Sequence, residues 1–314
     1  MKLFISHQSA LEFWRKHRKL PGNSADRRCN AVLPSEPART ERLVFLGLAL
    51  PVHIVLGSQE TRRLSPVATQ HVFSGKTPIG CFMNTGNGVM VSSPEFCFLQ
   101  MASQLTLIEL IELGYELCGV YSLPLAYDKE VPECGFYQRK QLTGTRKLKD
   151  FLGSMTSVKA CEKAQRAVRY IQDNSASPME TKLAMLMTLP YKLGGYGFKT
   201  PQLNYRITLS KTAKRYFTKD YYVCDLYWPD EKVAVEYDSD MFHTGSERIA
   251  NDSNKRNALA LQGIQVVSVT RRQLYRFKEL EGATKTIAKH LGKRLFPKKG
   301  DFATVRLKLR KQLL

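Results

Sequence analysis

The sequence is short of paired cysteines, of long apolar runs and of acid. Its seven cysteines stand at positions 29, 81, 97, 118, 134, 161 and 224, with no C-x-x-C pair. That spacing argues against a zinc ribbon or a thioredoxin-type site, and an odd count in a chain of this length fits reduced thiols. The longest apolar stretch, Leu43 to Gly57, is broken by Pro51 and His53 and is too short to span a bilayer. The opening residues, MKLFISHQSALEFWRK, hold no signal-peptide apolar core. Together these features lead us to expect a cytoplasmic protein with no membrane partner. No internal repeat or low-complexity tract is found. Aspartate and glutamate total 28 against 48 lysines and arginines, a net charge of +20. So large an excess favours a polyanionic partner, either nucleic acid or an anionic membrane surface, with nucleic acid weighted well above; DNA is the first expectation and RNA the second.

What remains is an ordinary globular composition of 314 residues, 43% hydrophobic and 24% charged, enough for one large domain or two smaller ones. Residues 6–19 have helical spacing, and the Pro-, Ser- and Arg-rich stretch after them reads as a loop. Residues 43–56 and 67–73 are expected strands. NTGNG, residues 84–88, is a hairpin turn, and Ser93-Pro94 caps and opens a helix. A second helix begins near Thr106. We expect residues 1–125 to form a mixed α/β module, 126–157 a linker, and 158–314 a second domain with a basic tail.

The second half reads in the order α-β-β-β-α-β. A helix opens at Ser177-Pro178 and ends at Pro190. Strands are expected at 203–209, 221–227, 233–238 and 264–269, with Pro229–Lys232 as a tight turn. A helix at 247–262 closes on Gly263. The stretch CDLYWPDEKVAVEYD then puts Asp225 on one strand of a hairpin and Glu236 and Asp238 on its partner. Strand alternation gives Glu236 and Asp238 one face and Val233, Val235 and Tyr237 the other. Carboxylates in an otherwise apolar strand need a reason to be there. Cleaving a phosphodiester supplies one, because a hard divalent ion takes one or two carboxylates and fills its remaining positions with water.

These residues resemble the PD-(D/E)XK nuclease superfamily, in its very-short-patch-repair-like branch. They are similar to the nuclease-like domain fused to abortive-infection antitoxin-type regulators. The resemblance rests on SPMET with Glu180, CDLYWP with Asp225, EYDSDMFH with Glu236 and His243, NDSNKRNAL with Asp252 and Arg256, and QGIQVVSVT. It implies a restriction-endonuclease-like core and Mg²⁺ or Mn²⁺ held by Asp225, Glu236 and Glu180. It also implies hydrolysis of DNA phosphodiester bonds. Its usual third-position lysine is replaced by Asp238, which leaves Lys255, Arg256 or His243 to supply the missing positive charge. The same replacement keeps a rival reading open, a non-catalytic DNA-binding regulator that retains the fold.

Structural roles compete for several of these residues. Ser177-x-x-Glu180 also fits a capping box. Asp238 also fits the start of a loop, and His243 a loop histidine. Asp252 and Arg256 fit an i,i+4 ion pair. Tyr221, Tyr222, Tyr227 and Trp228 read as strand packing rather than base stacking. Lys289, Lys293, Arg294, Lys298, Lys299, Arg306, Lys308, Arg310 and Lys311 form a basic C-terminal stretch, for which phosphate contact is expected.

Overall fold

A computed structural model describes residues 2–17, 28–29, 32–34, 43, 46–75, 77–78, 80–86, 88–155, 158–239, 246–295 and 302–314. The chain is mixed α/β and divides into two compact units, Met1–Asp173 and Asn174–Leu314. Among the described residues, no helix is long and apolar enough to cross a membrane.

The first unit contains β1 (Leu3–Ile5), α1 (His7–Lys16), β2 (Arg28–Cys29), β3 (Val52–Leu56), β4 (Ala68–Val72), β5 (Phe82–Gly86), β6 (Val89–Ser92), α2 (Pro94–Met101), α3 (Leu107–Cys118), β7 (Tyr121–Ser122), β8 (Tyr137–Gln138), α4 (Thr145–Gly153) and α5 (Cys161–Val168). Six strands form a mixed sheet in the order β2-β5-β6-β1-β3-β4. The β5–β6 hairpin turns where NTGNG predicts it, with Asn84 Oδ1 accepting from the Gly86 N–H. Ser93 caps α2 through the Phe96 N–H, and Thr106 with Glu109 makes a full capping box on α3. Two buried acids in this unit are paired with arginines: Glu116 meets Arg15 at 2.7 Å and Glu95 meets Arg28 at 2.9 Å.

The expected linker at 126–157 belongs to this unit instead. Its run of lysines and arginines masks an amphipathic helix, α4, whose Leu148 and Leu152 are fully buried. The buried Arg139 donates to Tyr121 O at 2.6 Å. The Asp173 carboxylate accepts from the N–H and hydroxyl of Thr145 at the start of α4. The charge lies on the outward face of this helix rather than on a loop, and the unit boundary falls at 173/174.

The second unit contains α6 (Pro178–Thr188), β9 (Gln202–Thr208), β10 (Tyr221–Trp228), β11 (Val233–Asp238), α7 (Ser246–Ala260), β12 (Gln265–Thr270), α8 (Arg271–Tyr275), α9 (Phe277–His290) and α10 (Phe302–Leu313). Its sheet runs β12-β11-β10-β9, with β11 and β12 parallel and the other pairs antiparallel. The predicted strands lie within a residue of those observed. Lys232 in the β10–β11 turn has φ +53°, and Gly263 after α7 has φ +74°. On one sheet face Ala258 and Leu259 of α7 pack with Tyr222, Cys224, Tyr227 and Ala234. The helices α6 and α9 pack against the same sheet.

Candidate active site

The site begins with an interruption in the sheet. Between β9 and β10, the rungs Cys224–Tyr205 and Leu226–Leu203 are made, but the rung between them, Asp225–Asn204, is not. Between β10 and β11 the pairing stops at Leu226–Val235. In that register the next rung would set Asp225 opposite Glu236. Asp225 instead turns its carboxylate onto the neighbouring strand, and Oδ2 accepts the Tyr237 N–H at 2.7 Å. A side chain has taken the place of a backbone acceptor, which ties Asp225 to β11 beside Glu236. The simple alternation expected for this hairpin therefore fails at Asp225, the residue that matters most.

Asn204 is the counterpart of this break. It has φ +48°, a left-handed conformation that asparagine tolerates better than most residues. Its Nδ2 donates to Glu180 Oε2 at 2.7 Å and to Asn174 O at 2.9 Å. Glu180 Oε2 also accepts the Ala176 N–H at 3.0 Å, while Ser177 Oγ accepts the Glu180 N–H at 3.1 Å. Glu180 thus serves the helix start much as the capping reading expects, one residue upstream of the usual partner. Nothing in the sequence pattern singles out Asn204 except an asparagine inside an alternating strand.

Glu236 carries the central polar contact. Its Oε2 accepts from Lys255 Nζ of α7 at 2.6 Å, with the two side chains only 16% and 21% exposed. Its other oxygen, Oε1, is buried with no hydrogen-bond partner among the described residues. Burial raises the Glu236 pKa; Lys255 pulls it back, and the net shift is upward. Burial raises the Asp225 pKa well above its ordinary value, and the negative charges of Glu236 and Glu180 push it the same way. Burial alone would lower the Lys255 pKa, but Glu236 outweighs it and the ammonium is held. Two half-buried carboxylates with one ammonium leave negative charge uncompensated, a cost that a cation would relieve.

Glu236, Asp238, Asp252, Lys255 and Arg256 line one pocket of about 150 Å³, with Tyr237, Val266 and Ser268 completing it. The structure therefore gathers five of the residues singled out from sequence, and it selects Lys255 as the cation on Glu236. Ser268 reaches the pocket because β11 and β12 pair Glu236 with Ser268. His243 lies outside the described residues. Among the described residues, no group of three or more histidine, cysteine, aspartate or glutamate side chains is arranged to hold a metal ion. The donor set that remains is the pair Asp225 and Glu236. A pair is sufficient for an ion that keeps most of its waters, and the unpartnered Glu236 Oε1 fits that role.

The basic C-terminal stretch divides. Arg306 and Arg310 are buried, at 4% and 6% exposure. Arg306 binds Glu281 at 2.6 Å and lies over Tyr196, while Arg310 donates to Tyr275 O. Lys293 donates to Gly197 O. These three hold the end of the chain against its own unit, each giving at least one donor to an internal acceptor. Lys289, Arg294, Lys308 and Lys311 are exposed, and Lys298 and Lys299 lie outside the described residues.

No family model matches this chain, and neither a curated protein nor a solved structure matches it. The chemistry of the site is therefore the ground for a functional reading.

Proposed function

We propose that this chain is a divalent-metal-dependent endonuclease of the PD-(D/E)XK type, very-short-patch-repair-like, acting on DNA. The observation that carries the reading is the half-buried pair Asp225 and Glu236 on adjacent strands with Lys255 Nζ 2.6 Å from Glu236. The succession α6, β9, β10, β11, α7, β12 supports a restriction-endonuclease-like core. A Mg²⁺ or Mn²⁺ ion held by Asp225 and Glu236 would polarise the phosphate and bring the pKa of an attacking water towards neutrality. Lys255 occupies the functional position left open by Asp238. It arrives from a helix rather than from the strand, pulls the Glu236 pKa down against burial, and offers positive charge where negative charge develops on the phosphate. Arg256 stands on the pocket wall to meet a phosphate oxygen. Glu180 adds negative charge near Asp225 without being spared from its cap.

Incubation of plasmid with wild-type protein and Mg²⁺ or Mn²⁺ tests the reading. Nicking is expected, and Glu236→Ala should abolish it while binding persists. Wild-type protein that binds DNA but never nicks it would leave the regulator reading in its place.

A further inference from the structure

β9 is the edge of its sheet and β10 its inner neighbour. Alternation sorts their side chains. Ile207, Tyr222 and Cys224 pack into the core with Ala258 and Leu259. On the opposite face the rungs Val223–Arg206 and Tyr221–Thr208 bring four side chains together. None of the four is buried: Tyr221 is 39% and Val223 38% exposed. The Arg206 guanidinium lies 3.6 Å from the Tyr221 ring centroid, so the pair makes a flat cationic step. The segment joining the strands, residues 209–220, adds Lys211, Lys214, Arg215 and Lys219. Its single acid, Asp220, is bound by Lys214 at 2.6 Å. Tyr216 in the same segment is 73% exposed.

Of the four aromatics that sequence reading assigned to strand packing, Tyr222, Tyr227 and Trp228 are indeed buried. Tyr221 is the exception, and it shares its face with Arg206. Exposed rings interleaved with lysine and arginine suit a polyanion that also presents flat π-faces, which is a nucleic acid with unpaired bases. A duplex hides those faces in its stack.

We propose that the outer face of β9–β10, with its connecting segment, is a track for single-stranded DNA. A base stacks on the Arg206–Tyr221 step, and Lys211, Lys214, Arg215 and Lys219 follow the phosphates. The inference rests on the endonuclease reading for its choice of DNA and adds to it a binding preference for unpaired strands.

The experiment measures binding by the full chain in EDTA, so that cleavage plays no part. A fluorescent single-stranded oligodeoxynucleotide carrying 2-aminopurine is compared with its duplex. Tyr221→Ala is expected to weaken single-strand binding by roughly 5- to 100-fold and to abolish 2-aminopurine quenching. Duplex binding should stay unchanged, and Tyr221→Phe should behave as wild type. Arg206→Ala, an exposed substitution, should act in the same direction and keeps the test open if Tyr221→Ala does not fold. Variants that bind the single strand as wild type does, or that lose single strand and duplex equally, overturn the track. Tyr221-dependent binding by a wild-type protein that never nicks DNA overturns the endonuclease reading alone.

Discussion

The half-buried carboxylates make opposing demands on the molecule, and single substitutions separate them. Asp225 has its pKa raised well above 3.8 by burial and by Glu236 and Glu180. The folded state therefore holds this proton more tightly than the unfolded state. Its contribution to stability is greatest below the ordinary aspartate range and is lost as pH rises towards the raised value. In divalent-free buffer, Asp225→Asn should melt higher than wild type, by a margin that grows as pH rises from about 4 into the neutral range. A margin independent of pH would mean that Asp225 ionises as freely as a surface residue. Added Mn²⁺ should shrink the margin, because only wild type has the carboxylate to bind it. Lys255→Ala should cut the nicking rate by about 10²–10³-fold, the usual effect of removing one donor to developing charge. Asp238→Lys should leave nicking intact, since a lysine on this pocket wall would sit beside the scissile phosphate and stabilise developing negative charge; loss of nicking would make Asp238 a working part of the site.

Among the elements, α10 shows how composition misleads. Its basic residues look uniform in sequence, yet Arg306 and Arg310 face inward and Lys308 and Lys311 outward. Removing one member of a buried ion pair strands the other, so Arg306→Ala should cost about 3 kcal/mol in denaturant unfolding. Lys308→Ala should change stability by no more than about 0.5 kcal/mol. Equal effects would contradict the assignment of faces. A second cluster lies in the first unit, where the ends of three elements meet. His7 opens α1 at φ +48° and stacks on His71 of β4 at 3.6 Å, and His71 Nε2 lies 3.0 Å from His53 Nδ1 of β3. Burial first, then mutual repulsion, lowers His7 to about 3; burial, His53 and Arg62 lower His71 to about 4. Burial also lowers His53. Unfolding lets these imidazoles take up protons that the folded state refuses. Their contribution is present above 6.5 and is lost as pH falls towards about 4. His71→Gln should therefore show a shallower loss of melting temperature on acidification. An unchanged acid slope would show that the cluster titrates normally.

For the molecule as a whole, a charge of +20 is spread across structural and solvated positions rather than concentrated in one tail. Buried arginines take part of it out of play, while the β9–β10 connection and the outward lysines of α10 keep theirs available. DNA affinity should fall steeply with salt, and each lysine that meets a duplex phosphate adds about 0.9 to the slope of log affinity against log salt. Lys308→Gln with Lys311→Gln should lower that slope if the tail touches DNA. An unchanged slope would assign the electrostatic contact to other surfaces.

Hydrophobic periodicity and turn chemistry are local properties, so the second unit's strands, the Ser177 cap, the Pro229–Lys232 turn and the pairing of Asp225 with Glu236 in one region are all legible from the chain. So is the overall mixed α/β character. Contacts between distant residues are not local. Nothing in the pattern of α7 says that Lys255, rather than Arg256, reaches Glu236; only the packing of α7 on the sheet decides it. Nothing in the tail separates Arg306 from Lys308 until α10 docks. The strand break at Asp225 follows the same rule. An alternating sequence predicts an unbroken ladder, whereas the fold gives up two rungs so that a carboxylate can bond Tyr237 and an asparagine can turn left-handed to hold Glu180. Periodicity reports which side of an element is apolar, and tertiary contact alone decides which polar atom on that element finds a partner.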